Sequence, residues 1–438
     1  MRRTVLLLLG ALAAMVGVVL LGRLDHDRRY RTLMTDGDAA LVHNQPYRAV
    51  EAFSGALAIR GDAMAAYYRR GEAYATLGQD FQAERDLRQA HTLAPDAPEP
   101  FEALGRLAER RSDWPAAADA YAHAADRLRD TDARLLYTLG LAHYRTGALP
   151  AASDALRRAL AVDDASAEAH YLQGLIARDL GNTREALAAL EQAIRLRPSF
   201  SAARQELAAL YRTLGRTGDE IAQMKTLAAQ DGSLDRHLAL ADSQVAAGQP
   251  SAALDTLAAA ETQAPGNSRI ALAVGRARLA QVEQGDPQAL APALQALERA
   301  LGGTAPRGQG LALYGRALHL SGDTAGAERL LLDAIRTSPT DTHAFGYLAD
   351  AAERLDHAII ARDALIALDA LEGGTAGPSV RAARARRIGA LSLTGHDPAT
   401  AVHYLTLATT AGDQTPATRA LLADAQAQAA DAATASRR

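Results

Sequence analysis

This sequence predicts an all-α protein built by repeating a short helical hairpin, and three observations lead there. Of its 438 residues 48% are apolar but only 4% are aromatic, so alanine and leucine carry the apolar share. That composition suits closely packed helices rather than sheets. Small and apolar residues recur about every 34 positions from residue 30 onward, with helical spacing inside each period. Glycine recurs near the middle of the periods (Gly78, Gly147, Gly181, Gly215, Gly248, Gly322) and proline near their ends (Pro95, Pro198, Pro265, Pro339). These are the stop signals of the two helices of a hairpin.

Taken in order, residues 1–4 form a short basic tail with Arg2 and Arg3. Val5 to Gly22 is an uncharged stretch of 18 residues, which as a helix rising ~1.5 Å per residue covers ~27 Å, close to the hydrocarbon thickness of a bilayer. The expectation is a transmembrane signal-anchor helix over 5–22 and a juxtamembrane linker over 23–29. A cleaved signal peptide competes, because Ala11-Leu12-Ala13 has a small-x-small pattern, but the apolar run before it is only Val5 to Gly10. Arg23, Arg28, Arg29 and Arg31 follow the run, interleaved with Asp25 and Asp27, which counts against export, whereas the short basic tail favours it. The resulting expectation is a single pass through the cytoplasmic (inner) membrane with the rest of the chain extracytoplasmic or periplasmic.

The clearest period runs from Met64 to Ala97. It places Tyr67 at position 4, Gly71 at 8, Tyr74 at 11, Ala83 at 20, Leu87 at 24, Ala90 at 27 and Pro95 at 32. Period 98–131 puts Phe101, Gly105, Ala117, Tyr121 and Ala124 in that frame, and 133–166 puts Leu136, Gly140, Ala152, Leu156 and Ala159. Period 167–200 ends on Pro198, 234–267 gives Ala241, Ala253, Leu257 and Ala260, and 308–341 gives Gly315, Ala327, Leu331 and Ala334. Weaker periods are 30–63 with Gly37, Ala49 and Phe53, 201–234 with Ala208 and Tyr211, 342–375 with Ala349 and Ala361, and 382–415 with Gly389 and Ala401. Period 201–234 departs from the pattern with Glu220 at position 20, and the period from 268 to about 307 is stretched around Val282 to Gln288. Positions 4, 7, 8 and 11 make one stripe of a first helix, and a small residue at position 8 admits the second helix at position 20. Pro416 opens a last helical stretch through Ala429 with Leu421 and Leu422 toward the preceding period, so 416–438 reads as a capping helix and tail.

These marks resemble those of the tetratricopeptide repeat, over residues 30–415. The resemblance implies a right-handed superhelical solenoid of about 11 helix-turn-helix repeats, whose first helices, at positions 2, 5, 9 and 12, line a concave groove where members usually bind peptides or protein helices. In the periods from 64, 133 and 167 this face carries Tyr68, Tyr137, Leu141, Tyr144, Tyr171 and Leu175, with Arg69, Arg145 and Arg178 beside them. Tyrosine and arginine are favoured anchors, so these nine residues are the candidate partner-binding groove. The competing reading is that the long side chains line a solvated groove or pack between adjacent first helices. Chaperone-binding members hold a C-terminal carboxylate with basic residues and an asparagine at position 9. Here that position reads Glu72, Arg106, Leu141, Leu175 and Ala209, so that pattern does not occur. Tyr74, Tyr211, Phe53 and Tyr121 fall at packing positions and are assigned to the core, and Trp114 opens the second helix of its period in a structural role.

Composition narrows the function. A net charge of -4 from 47 basic and 51 acidic residues gives no electrostatic footprint for nucleic acid. Cysteine is absent and Lys225 is the sole lysine, which removes thiolate chemistry and leaves one candidate for a phosphate-loop or Schiff-base amine, outside any glycine-rich loop. The sequence has no HExxH, GxSxG, phosphate-loop or dinucleotide-binding pattern, and its 12 histidines are scattered without ligand spacing. Gly308-Gln309-Gly310 reads as an inter-repeat turn, and Glu372 to Pro378 as a flexible connection before the last period. Neither an enzyme, a cofactor nor a small-molecule substrate is expected. The functional expectation is a membrane-anchored scaffold or adaptor for protein partners, in a bacterial-type envelope assembly or secretion process. The alternative is a factor for envelope polysaccharide export whose tyrosines stack on sugar rings.

Overall fold

The structure, a computed structural model, describes the backbone of residues 2–372 and 374–435, and the side chains of residue 15 and of 21–372 and 374–434. Among the described residues it comprises 23 α-helices, one 3-10 turn and no strand, in two compact units divided between Leu210 and Tyr211.

The first unit contains α1 (Arg2–Val42), α2 (Pro46–Ile59), α3 (Met64–Thr76), α4 (Asp80–Leu93), α5 (Glu99–Arg110) and α6 (Trp114–Leu128). It continues with α7 (Ala133–Arg145), α8 (Leu149–Val162), α9 (Ala167–Asp179) and α10 (Thr183–Leu196), and α11 (Ser201–Thr213) carries the division. The second unit contains α12 (Thr217–Asp231), α13 (Leu234–Ala246), α14 (Pro250–Gln263), α15 (Ser268–Glu283), a 3-10 turn (Pro287–Ala289) and α16 (Leu290–Leu301). It ends with α17 (Arg307–Ser321), α18 (Thr324–Thr337), α19 (Thr342–Arg354), α20 (Ala358–Glu372), α21 (Pro378–Thr394), α22 (Pro398–Thr410) and α23 (Pro416–Ala435).

Each unit stacks hairpins, and the expected small residues sit where two helices meet. Ala49, Ala83, Ala117, Ala152 and Ala186 in the first unit, and Ala253, Ala327, Ala361 and Ala401 in the second, are all position-20 alanines with no exposed surface. At position 8 glycine faces the large position-24 residue of its own hairpin. A Cβ on Gly71 would lie 2.9 Å from Leu87 Cγ and 3.3 Å from the Ala83 carbonyl oxygen, so a side chain there overfills the crossing. Fully buried Phe53, Leu87, Leu136, Leu156 and Leu190 in the first unit, and Leu257, Leu297, Leu331 and Leu348 in the second, form the spine of each stack. Each contributes ~1.5–3 kcal/mol by leaving water. The six turn glycines all have positive φ, from 67° at Gly215 to 96° at Gly322. The helices before Pro95, Pro198, Pro265 and Pro339 end at Leu93, Leu196, Gln263 and Thr337, as the bias of the residue before proline away from helix requires.

Three expectations are corrected. Among the described residues no helix is long and apolar enough to cross a membrane, which overturns the transmembrane signal-anchor, the membrane partner and the inner-membrane location with an extracytoplasmic repeat region. The physical reason lies in α1, which runs on from Leu21 through Arg23, Asp25, Asp27, Arg28 and Arg29 to become the first helix of the opening hairpin. Its described part is a charged repeat helix packed on α2 rather than an apolar rod. Within the expected span of 5–22, the side chains of 5–14 and 16–20 lie outside the described residues. Gly308-Gln309-Gly310 is the first turn of α17 rather than a loop, with Gly308 and Gly310 buried. Here glycine allows close contact: a Cβ on Gly310 would come within 2.9 Å of Leu301 Cδ2. The final helix also continues past Ala429 to Ala435. The stretched period proves to be a long α15 followed by Gly285 with φ 97° and the 3-10 turn.

Candidate functional site

The first helices of the first unit are tied to one another by pairs of charged residues about one period apart. Arg69 on α3 reaches Asp38 on α1 at 3.2 Å, Arg106 on α5 reaches Glu72 on α3 at 3.1 Å, and Arg134 on α7 reaches Glu102 on α5 at 3.6 Å. Arg178 on α9 pairs with Glu206 on α11 and with Asp179 at 2.8 Å. Between α7 and α9 the series is interrupted, because position 9 holds Leu141 and Leu175 instead of charged residues.

The sequence-predicted site residues divide accordingly. Tyr137, Leu141, Tyr144 and Leu175 pack half-buried against a core of Ala152, Leu156, Ala169, Leu172 and Ile176. Tyr171 extends that patch and meets the Phe200 ring at 5.0 Å between centroids. The Tyr144 hydroxyl donates to Asp179 at 2.9 Å and so links α7 to α9. Tyr137 walls a cleft of about 310 Å³ with Arg134, Ser166 and Glu168, large enough for a partner side chain. Burial raises the hydroxyl pKa of Tyr137, Tyr144 and Tyr171 above the ordinary tyrosine value, for Tyr144 with help from the Asp179 hydrogen bond. All three phenols are therefore neutral donors at physiological pH.

Tyr68 and Arg69 stand apart on α3. The Tyr68 hydroxyl donates to Glu72 at 2.9 Å, and burial together with that carboxylate pushes its pKa up to about 12. Arg69 also donates to Glu72, at 3.0 Å. Arg145 lies against the Trp114 ring, with Cζ 5.5 Å from the centroid, at the mouth of the preceding hairpin. Trp114 is thereby a packing platform at the start of α6. Phe53, Tyr121 and Tyr211 are buried in the core as expected, and Tyr74 is half-buried.

A second set of first-helix charges escaped the reading of the sequence. In the second unit Arg276 pairs with Asp242 at 2.6 Å, and Arg387 with Asp350 at 2.9 Å and Glu353 at 2.8 Å. Arg316 stacks on Tyr347, with Cζ 5.3 Å from the ring centroid. The signal was available, since position 9 of the later periods reads Asp242, Arg276, Arg316 and Asp350, two bases flanked by two acids. No group of three or more His, Asp and Glu side chains among the described residues is placed to hold a metal ion.

What the fold and this surface define is a helical-hairpin repeat protein with a polar, partly aromatic first-helix face. Family models described as tetratricopeptide repeat match residues 167–200 and 137–182, the first coinciding with one hairpin, α9 and α10. Over these residues the chain carries tetratricopeptide repeats. A comparison with curated proteins finds no match. Among solved structures, similar chains include one from the Cut9-Hcn1 hetero-tetramer of the APC/C (14% identity, TM-score 0.42, covering 91% of this chain and 96% of that one). Another is YrrB, a TPR protein with an unusual peptide-binding site (17% identity, TM-score 0.39, 43% and 96%). A third is MamA from Desulfovibrio magneticus RS-1 (18% identity, TM-score 0.37, 39% and 97%).

Proposed function

We propose that this chain is a non-catalytic protein-interaction scaffold that holds an apolar side chain of a partner segment on the first-helix face of its first unit. The observation that carries this reading is the break in the charge series, where Tyr137, Leu141, Tyr144, Tyr171 and Leu175 form a half-buried patch on α7 and α9. Arg178 pairs with Glu206 on α11, and Arg145 lies against Trp114 of the preceding hairpin. Tyrosines held by neighbouring helices lose little rotamer freedom when a partner desolvates them, which makes them efficient anchors. A photo-crosslinker at Leu141, followed by mapping of the captured peptide, tests the reading directly. One defined partner segment should be captured, and the triple variant Tyr137→Ala, Tyr144→Ala, Tyr171→Ala should lose that segment while keeping its helical circular dichroism. A folded triple variant that captures the same segment undiminished moves the site elsewhere.

A further inference from the structure

Phe81, the second residue of α4, has 76% of its surface in water. A lone exposed apolar residue is ordinary, but Phe81 stands beside a groove. Helical spacing puts it on one stripe of α4 with Glu84 and Arg88, and those two form one wall of a groove of about 330 Å³ between the second helices α4 and α6. The floor is apolar, made by Leu104, Leu107 and Ala108 of α5, and the far wall holds Ala116, Asp119 and Ala120 of α6. The two alanines leave that wall low, so the groove stays open to a large side chain. It lies on the second-helix side of the hairpins, apart from the first-helix patch on α7 and α9. Its rim carries two underused charges of opposite sign. Arg88 pairs with Glu84 at 2.7 Å, yet Glu84 also takes Arg111 at 2.9 Å, and the Arg88 side chain is 72% exposed. Asp119 is exposed and forms no ion pair among the described residues.

We propose that this face pairs with the same face of a second copy of the chain, the Phe81 ring of each copy seated in the groove of the other. The occupant follows from what the face carries. An aromatic knob and an apolar hole side by side on one surface satisfy each other about a two-fold axis, which is the condition for a closed, isologous dimer. An antiparallel crossing of the two α4 helices carries each Phe81, at the start of α4, along the groove of the other copy toward its Leu104 end. There the ring leaves water inside a pocket, the setting in which aromatic side chains contribute most to association. The same crossing brings Arg88 of each copy toward Asp119 of the other, so that both rim charges gain a partner of opposite sign. A net charge of only -4 per chain leaves little overall repulsion to oppose the pairing.

The test is the molar mass of the full chain, followed by analytical ultracentrifugation over a wide range of concentration. The parent should move from one chain toward two as concentration rises. Phe81→Asp sits in an exposed first helical turn, where an acidic residue suits the helix dipole, so it should keep the parent's helical circular dichroism. Its self-association should weaken by about tenfold or more, as for loss of a central aromatic anchor. Arg88→Asp and Asp119→Arg each set like charges together at both symmetry-related contacts, and each alone should weaken the dimer. An equimolar mixture of those two variants sets opposite charges together at both contacts and should restore the two-chain species. A parent that stays one chain throughout, or a mass that climbs beyond two chains, would overturn the proposal. So would a folded Phe81→Asp chain that pairs like the parent, or a mixture that pairs no better than its separate components.

Discussion

At position 15 of its hairpins the chain turns through the left-handed region, and where glycine is missing another residue must do so. Asn44, Ser112, Asp356 and His396 hold φ of 54°, 57°, 60° and 59°, a conformation that costs an ordinary L-residue ~1–2 kcal/mol. Glycine escapes that cost but gives part of it back as unfolded-state entropy. Ser112→Gly and His396→Gly should therefore each stabilise the protein by ~0.5–1 kcal/mol, visible as a higher denaturation midpoint at unchanged slope. Gly71→Leu should do the reverse by overfilling the contact with Leu87, at ~1–3 kcal/mol. A midpoint identical to the parent's would refute that packing. His319 adds a pH term with a definite sign. Its folded pKa lies below the unfolded value of ~6.5, so between those values the unfolded state binds more protons and stability rises with pH. Comparing His319→Gln with the parent across that window should show a flatter profile in the variant.

Between helices, ties recur at about one period's distance and differ in kind from place to place. The Tyr144 bond to Asp179 joins α7 to α9, and Tyr144→Phe should cost ~0.5–1.5 kcal/mol while keeping the ring in the patch. In the repeat that departs from the small-residue rule, Glu220 is 4% exposed and accepts hydrogen bonds from Arg212 and Ser243 at 2.8 Å each. Restoring alanine there removes a buried charge but leaves Ser243, itself buried, without that acceptor. We expect the orphaned hydroxyl and the vacated volume to win, so Glu220→Ala destabilises by ~1–3 kcal/mol. The double change Glu220→Ala, Ser243→Ala should recover part of that loss. A strictly additive double-mutant cycle would deny the coupling.

In a stack of hairpins every hairpin relies on the next helix for its cover. For the hairpin of α21 and α22 that helix is α23, which packs on α22 through Ala425, Leu421 and Leu422 against Ala401 and Leu405. Truncation before Pro416 uncovers that face. It should lower the midpoint and reduce the denaturant slope, because less surface remains to be exposed on unfolding. A truncated chain with the parent's midpoint and slope would show that α23 contributes nothing. Far-ultraviolet circular dichroism should report a predominantly helical chain, and substantial sheet signal would contradict the described helices.

The sequence by itself determined the helices, their pairing and the residues at their crossings. Position 20 alanine, position 8 glycine and the turn glycines are local or near-local requirements, enforced by sterics within one hairpin of the chain. Much of the first-helix face was also legible, because helical period alone puts Tyr137, Leu141, Tyr144, Tyr171 and Leu175 on one stripe. Tertiary structure decided what the stripe does. Arg145 joined that list by spacing, yet it lies on Trp114 of the preceding hairpin. Tyr68 hydrogen-bonds to Glu72 on its own helix, and the groove beside Phe81 forms only when α4, α5 and α6 are brought side by side. The apolar run at the N-terminus misled for the converse reason. Hydropathy describes a segment in isolation, whereas α1 continues beyond it into charged residues whose place is set by packing against α2. Whether a polar group is satisfied, or an apolar run is completed by charged residues, depends on neighbours that no local pattern specifies.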